Sequence, residues 1–305
     1  MKQITIYRQR GRYAGWPANY GIWSWGDEIV VGFALGYADD QGGFHARDRN
    51  RPFVALQARS RDGGESWHVE NTPCRTPGNR GILSADEHVV PNLSAAQAIA
   101  QQSPPVPQPC PGEIDFRHPD FALMCARTGL GAGTVSWFYT STDRCRSWDG
   151  PFALPMFGQP GIEARTDYIV NSKDSCTLVL AAAREDGGEG AGILCARTDD
   201  GGRSFDLISW VTQVDSGYVI MPSSVRLSET HLLSAIRCRE GGENFEKARC
   251  WIDLYSSKDD GRNWRFLNRP VANTGRGGNP PSLIRLADGR PCLTYGFRDQ
   301  PYGIR

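Results

Sequence analysis

The sequence predicts an all-β fold, a propeller assembled from repeated blades of about four short strands. Three observations predict it. One turn string occurs four times, as Ser60-Arg-Asp-Gly-Gly-Glu-Ser-Trp67, Ser141-Thr-Asp-Arg-Cys-Arg-Ser-Trp148, Thr198-Asp-Asp-Gly-Gly-Arg-Ser-Phe205 and Ser257-Lys-Asp-Asp-Gly-Arg-Asn-Trp264. The later copies are spaced at blade length, 57 residues from Asp143 to Asp200 and 59 from Asp200 to Asp259. Helix signals are nearly absent, and 35 glycines with 20 prolines in 305 residues suit short strands joined by tight turns.

The elements follow in chain order. Gln3-Ile-Thr-Ile-Tyr7 reads as a strand able to close a ring against a last blade. A polar or proline step then opens each of five blades: Gly15-Trp-Pro-Ala-Asn19, Arg117-His-Pro-Asp-Phe121, Ala164-Arg-Thr-Asp-Tyr168, Ile220-Met-Pro-Ser-Ser224 and Asn279-Pro-Pro-Ser-Leu283. The steps lie 56 residues apart from Thr166 to Pro222 and 59 from Pro222 to Pro281. An apolar or alternating run precedes each turn string, over Phe53–Ala58, Val135–Tyr139, Gly192–Ala196 and Cys250–Tyr255. Residues 71–112 interrupt this order as an inserted loop, with one short helical stretch over Ser94–Gln102 before a proline-rich run. The chain stops at Arg305, before any fifth turn string. The expectation is one propeller domain over 1–305, six-bladed when complete and truncated in or after blade five.

Composition narrows the function. Thirty-four basic and 34 acidic residues cancel, which argues against nucleic acid or an anionic membrane as partner. No stretch approaches 18 apolar residues, and the N-terminus has no apolar signal-peptide core, so the expected location is cytoplasmic. Nine scattered cysteines without a CxxC pair read as reduced thiols, several in strand-like runs at Cys125, Cys195, Cys238 and Cys292. There is no zinc spacing, phosphate-binding glycine motif or Gly-x-Ser-x-Gly elbow, so neither metal nor cofactor is expected.

The turn residues suit a structural task. Ser or Thr and Asp satisfy the turn's own backbone N–H groups, Gly takes positive φ, and the Trp or Phe packs back on the blade. This assigns Asp62, Asp143, Asp200 and Asp259 to structure. The second copy carries Arg144-Cys145 where glycine is usual, and is expected to be the most strained.

The S-x-D-x-G-x-x-W turn resembles the Asp-box, or bacterial neuraminidase repeat, of the sialidase superfamily. The resemblance covers essentially the whole chain, and it implies a six-bladed β-propeller acting on an acidic glycan. Sialidases hold the substrate carboxylate with three arginines, use an Asp as acid/base, and use a Tyr activated by a Glu as nucleophile. The family's first arginine lies in a Phe-Arg-Ile-Pro string that Gly15-Trp-Pro-Ala-Asn19 replaces here, with Arg12 nearby as a substitute. The middle arginine matches Arg237 in Ser234-Ala-Ile-Arg237, while the glutamate position falls near Met221, and Glu163, Glu240 or Glu243 could compensate. The nucleophilic Tyr belongs to the last blade. For the acid/base, Asp39, Asp40 and Asp48 qualify by position; Asp48 is favoured because Arg47, Arg49 and His45 surround it in sequence.

A second pattern comes from the repeat itself. Arg184, Arg237 and Arg298 fall 53 and 61 residues apart, at what reads as one place in successive blades, where they would make an anion site. Each could instead pair with a loop carboxylate such as Glu185, Glu240 or Asp299. Arg165 with Asp167, and His118 with Asp120, open first strands and are further substrate-binding candidates. The expected activity is a sialidase-like exo-glycosidase. Two alternatives stand beside it: a polysaccharide lyase using His118 or His45 on a uronate, and a propeller that binds glycans without turnover.

Overall fold

The computed structural model describes residues 2–39, 46–48, 51, 54–72, 107–241 and 247–305. The helix expected over Ser94–Gln102 lies outside them, with most of the 71–112 insertion. The architecture is all-β: five antiparallel sheets, each a propeller blade, and a single short helix among the described residues. The chain divides into two compact units, described separately.

The first unit comprises Met1–Cys110, Arg117–Gly129 and Ser136–Leu154. Its first blade contains β1 (Arg12–Gly15), the helix α1 (Pro17–Tyr20), β2 (Ile22–Trp25), β3 (Glu28–Tyr37), β4 (Val54–Ser60) and β5 (His68–Asn71). Both β1 and β2 pair with β3, and β4 and β5 continue the sheet. The second blade is β6 (Ala122–Arg127), β7 (Ser136–Ser141) and β8 (Asp149–Ala153). Residues 3–7 form no strand; Ile6 and Tyr7 instead pack on Val31, Phe33 and Leu35 of the first blade.

The second unit comprises Pro111–Phe116, Leu130–Val135 and Pro155–Arg305. Blade three is β9 (Ile162–Glu163), β10 (Tyr168–Val170), β11 (Cys176–Ala182), β12 (Gly192–Thr198) and β13 (Asp206–Gln213). Blade four is β14 (Tyr218–Arg226), β15 (Leu232–Glu240), β16 (Arg249–Ser257) and β17 (Arg265–Val271). Blade five is β18 (Pro281–Arg285), β19 (Pro291–Phe297) and β20 (Gly303–Ile304). Strands β11 and β12 are buried at every residue, which is why they read as continuous apolar runs rather than alternating ones.

In blades one, three and four the polar or proline step is a break in the first strand. In blade one, Trp16-Pro17 and α1 separate β1 from β2; in blade three, Ala164–Asp167 separate β9 from β10. In blade four, Met221-Pro222 make a bulge between Ile220 and Ser223. Proline cannot donate to a ladder, so it stands where pairing is already interrupted. Trp16 and Met221 each precede that proline, and each has a left-handed backbone at φ 56° and 53°. A non-glycine residue there carries about 1–3 kcal/mol of strain, a cost that tends to persist at functional positions.

The four turn strings share one bonding pattern. Ser60 Oγ donates to Asp62 Oδ1 at 2.8 Å and accepts from Gly64 N at 2.8 Å, while Ser66 N donates to Asp62 Oδ1 at 2.9 Å. The same three bonds recur at Ser141, Thr198 and Ser257. The Ser66 hydroxyl and N–H pull the Asp62 carboxyl down to about 2, and the Asn263 amide does the same for Asp259. The second copy has two non-glycine residues at positive φ, Arg144 at 59° and Cys145 at 63°.

These turns also join blades. Arg59, one residue before the first turn, donates to Arg144 O of the second turn at 2.9 Å. Arg197, in the same place before the third turn, donates to Asp260 O at 2.6 Å and pairs with its carboxylate at 2.8 Å. In the first unit the joint carries an ion network around Glu28, whose carboxylate is 10% exposed. Arg59 and Arg146 reach Glu28 Oε1 at 2.7 Å each, and Arg144 reaches Oε2 at 2.9 Å.

Candidate functional site

Strand register settles which arginines are equivalent. The first residue of a turn string faces Ala122 in blade two, Cys176 in blade three and Leu232 in blade four. Counted from those residues, Arg127 and Arg237 occupy the same position, five along. The expected equivalence of Arg184, Arg237 and Arg298 is therefore corrected. Blade five has the hairpin bond Leu286 N to Arg290 O where blade four has Leu227 N to His231 O. Arg298 and Arg239 both lie eight residues beyond that acceptor, so Arg239 is the partner position of Arg298. The bulge in β14 and the different strand lengths hid this from residue counting. Arg127, fully buried at the end of β6, was detectable from the Ala-Arg ending that it shares with Arg184.

In the second unit the arginines gather at one end of blade four. Arg239 lies over the Tyr218 ring, its Cζ 3.9 Å from the centroid, and Arg237 lies 5.6 Å from the same centroid. Cys250, opposite Arg239 in the ladder, is in the field of Arg237, Arg239 and Arg298. Burial nevertheless raises its thiol above the usual range. Burial also raises Tyr218, against the opposing pull of Arg237 and Arg239. A cleft of about 290 Å³ opens here, lined by Arg184, Glu189, Gly217, Tyr218 and Arg239. Gly217 is required by close packing, since a Cβ on it would stand 2.2 Å from Arg239 O at φ +69°.

The donors are committed unequally. Arg184 spends two on backbone carbonyls, at Asp215 O (3.0 Å) and Gly217 O (2.6 Å). Arg239 Nη2 lies 3.5 Å from Glu189 Oε1. Arg237 donates Nη2 to Gly277 O at 2.5 Å and Nη1 to the Met221 thioether at 3.2 Å, and its buried Nε has no hydrogen-bond partner. A thioether is a weak acceptor. Among the described residues no carboxylate pairs with Arg237; of the three glutamates weighed as compensating, Glu163 accepts from Gly131 N, Glu240 pairs with Arg249, and Glu243 lies outside the described residues.

The first unit has a comparable arrangement in blade one. Arg12 lies 4.2 Å and Arg51 3.1 Å from the Tyr37 centroid, and Arg12 Nε donates to Gly36 O at 2.9 Å. Arg47, 7% exposed, lies 5.2 Å from the ring of the strained Trp16. Asp48 is placed by its backbone, its N–H donating to Tyr37 O at 2.8 Å. Asp39 is tied through its N–H to Ala46 O. Asp40 and His45 lie outside the described residues.

Two of the remaining candidates, Asp120 and Asp167, are engaged in side-chain bonds. Asp120 Oδ1 accepts from Arg144 Nε at 2.6 Å, and the Asp120 backbone N–H donates to His118 Nδ1 at 3.2 Å, within the turn that leads to β6. Arg165 is 7% exposed beside the strand break. Asp167 accepts from Ser224 N at 2.8 Å and Ser224 Oγ at 2.7 Å, tying blade three to blade four. Burial pushes the Asp167 carboxyl up to about 6, against the two Ser224 bonds. The fold therefore binds this proton more tightly than the unfolded chain, and wild-type stability should fall as pH rises from about 4 to about 6. The total is about 3 kcal/mol from that shift. Asp167→Asn is expected to remove this decline, gaining on the wild type up to pH 6 and holding a constant difference above it. Parallel urea-denaturation stabilities of the two proteins across that range would refute it.

Among the described residues no group of three His, Cys, Asp or Glu is placed to hold a metal ion, and no helix is long and apolar enough to cross a membrane. No protein-family model and no curated protein matches the sequence. Solved structures do match. A protein of unknown function from Dyadobacter fermentans DSM 18053 is 17% identical, with 99% of this chain and 80% of that one covered at a TM-score of 0.64. An alpha-L-arabinanase of Penicillium chrysogenum, complexed with arabinobiose, is 12% identical over 91% of this chain and 74% of its own, at 0.52. The NanB sialidase of Streptococcus pneumoniae is 10% identical over 96% and 58%, at 0.53. At these identities the likeness establishes the fold, a propeller of the kind found in these glycoside-hydrolase structures.

Proposed function

We propose that the chain acts on an acidic glycan as a sialidase-like glycoside hydrolase, with the arginines of blade four holding the sugar's carboxylate. One observation carries this reading. Arg237 is a half-buried guanidinium with an unsatisfied, inaccessible Nε and a thioether as its Nη1 acceptor. Unsatisfied buried donors are costly, and a ligand carboxylate is the acceptor that a planar guanidinium matches best. Arg239 and Tyr218, which line the adjoining cleft, add a second cation and a ring that Arg237 also approaches. In the first unit Asp48 is the proposed acid/base, with Arg12, His45 and Asp120 as proposed substrate contacts; in the second, Arg184 and Arg298 add to the proposed anion site, and Arg165 and Asp167 support it through packing. The free, mostly buried thiols favour a reducing, cytoplasmic setting.

A second reading has its own support. Met221 stands where the resemblance calls for a glutamate, and its sulfur touches Arg237, which favours binding without turnover. Fluorophore release from a sialic acid glycoside, followed beside calorimetric titration with free sialic acid, separates the two. Turnover supports the hydrolase. Binding without turnover supports the non-catalytic reading, and neither signal from folded protein removes both.

A further inference from the structure

Glu189 brings a carboxylate into the cleft at the end of blade four, where Arg184, Tyr218 and Arg239 form the other walls. The turn that carries it is pinned on both sides. Gly188 O accepts from Arg184 N at 2.7 Å, just beyond β11, and Gly190 O accepts from Val219 N at 3.0 Å, in β14. Gly190 has φ +63°, and a Cβ on it would stand 2.7 Å from Ile220 Cγ2, so the turn lies directly on β14. Between two anchored glycines the Glu189 backbone has little freedom to bring its carboxylate closer to Arg239.

The ion pair that results is open. Arg239 Nη2 stands 3.5 Å from Glu189 Oε1, with 17% and 28% of the two side chains exposed. In the same unit Arg197, Arg226, Arg249, Arg269 and Arg290 all reach their carboxylates at 2.6–2.8 Å. Charged N–H···O bonds normally close to about 2.7–2.9 Å, so Glu189 acts on Arg239 by charge without a closed bond. An exposed pair of this kind contributes little on its own, and exchanging one carboxylate for another costs correspondingly little. Arg239 keeps its place meanwhile, because the Tyr218 ring holds it from another side at 3.9 Å. Of the charged residues lining the cleft, Arg184 and Arg239 stand against Glu189 alone, and Arg184 spends its bonds on the neutral carbonyls of Asp215 and Gly217.

We propose that Glu189 sets the charge selectivity of this cleft: an acidic sugar binds by replacing Glu189 at Arg239, and a neutral sugar leaves the pair in place. This rests on the reading of the arginine cluster given above. Two carboxylates compete for one guanidinium and repel each other, so Glu189 weakens the wild-type protein's hold on any acid. Only a ligand with its own negative charge restores to Arg239 what it loses when Glu189 is displaced. A neutral sugar offers no such return.

The test is calorimetric titration of the full chain with free sialic acid and with galacturonic acid, in wild type, Glu189→Gln, Arg239→Ala and the double variant. Glutamine keeps the shape of the side chain and removes its charge. Glu189→Gln is expected to bind one of the acids at least about threefold more tightly than wild type, and Arg239→Ala to bind it more weakly. Binding detectable only in Glu189→Gln is the same result. The gain should vanish in the double variant, since both substitutions act through one contact. A smaller gain, a loss, or a gain that survives in the double variant overturns the role of Glu189, while a weakened Arg239→Ala keeps the cluster reading standing. Arg239→Ala binding as well as wild type overturns the cluster reading and the exchange with it. No binding of either acid by any of the four proteins overturns both.

Discussion

Glu28→Ala is expected to destabilise the protein by about 3–5 kcal/mol, the usual cost of removing one partner from a buried ion pair. The reason is geometric. Glu28 is the shared acceptor of Arg59, Arg144 and Arg146, and Arg59 is itself 3% exposed at its side chain. Arg59 keeps Glu70 at 2.7 Å after the substitution, but its Nη1 is left with a backbone carbonyl alone. Arg144 already holds a left-handed backbone that a non-glycine residue resists, and loses one of the two carboxylates that fix it there. Burial alone would raise the Glu28 carboxyl; the guanidiniums of Arg144, Arg59 and Arg146 outweigh burial and hold it below the ordinary value. A lowered folded pKa gives stability that is present above about 4.5 and lost as pH falls through the folded value. Urea denaturation at pH 7 and at pH 3.5 checks both points. A difference under 1 kcal/mol at pH 7, or one unchanged by acid, would mean that solvent screens the network.

How much of this was readable in the sequence differs by level. The blades were, because the turn string depends on short-range bonds that any copy must make: a Ser or Thr hydroxyl, an Asp two residues on, and two positive-φ positions. That logic also marked Arg144-Cys145 as strained before any backbone angle was known. The ion network was not readable, since Glu28 and Arg144 are 116 residues apart and nothing local to either predicts the other. The arginine cluster was half readable. Arg237 was found from its Ser-Ala-Ile-Arg ending, but Arg239 was passed over because strands that start and bulge differently do not keep a constant residue step. Asp120 and Asp167 were singled out for opening first strands. Both carboxylates are occupied, that of Asp167 by Ser224 of the neighbouring blade and that of Asp120 by Arg144 in its own blade's turn string. Trp16 and Met221 share a motif, a residue before proline, but their common left-handed backbone is a tertiary property. Residues before proline ordinarily prefer extended conformations.

Arg237→Ala is expected to lower kcat/KM for an acidic glycoside on the order of a hundredfold, about 3 kcal/mol at about 1.4 kcal/mol per factor of ten. The guanidinium is held from behind by Gly277 O and faces Met221, so its plane is set before any ligand arrives. Preorganised charge of that kind needs no reorientation when it takes a carboxylate. The carboxylate carries its charge in substrate and transition state alike, so most of the loss should fall on KM and little on kcat. Arg237→Lys should recover only part of it, because an ammonium cannot make the two parallel bonds of a guanidinium. A purely structural arginine predicts a different pattern: a lowered melting temperature, an unchanged KM for the folded fraction, and no distinction between acidic and neutral glycosides. The deciding comparison is therefore the acidic substrate against its neutral methyl ester. If Arg237→Ala weakens turnover of both equally, the guanidinium holds the blade and not the sugar; if only the acid suffers, the carboxylate is its partner.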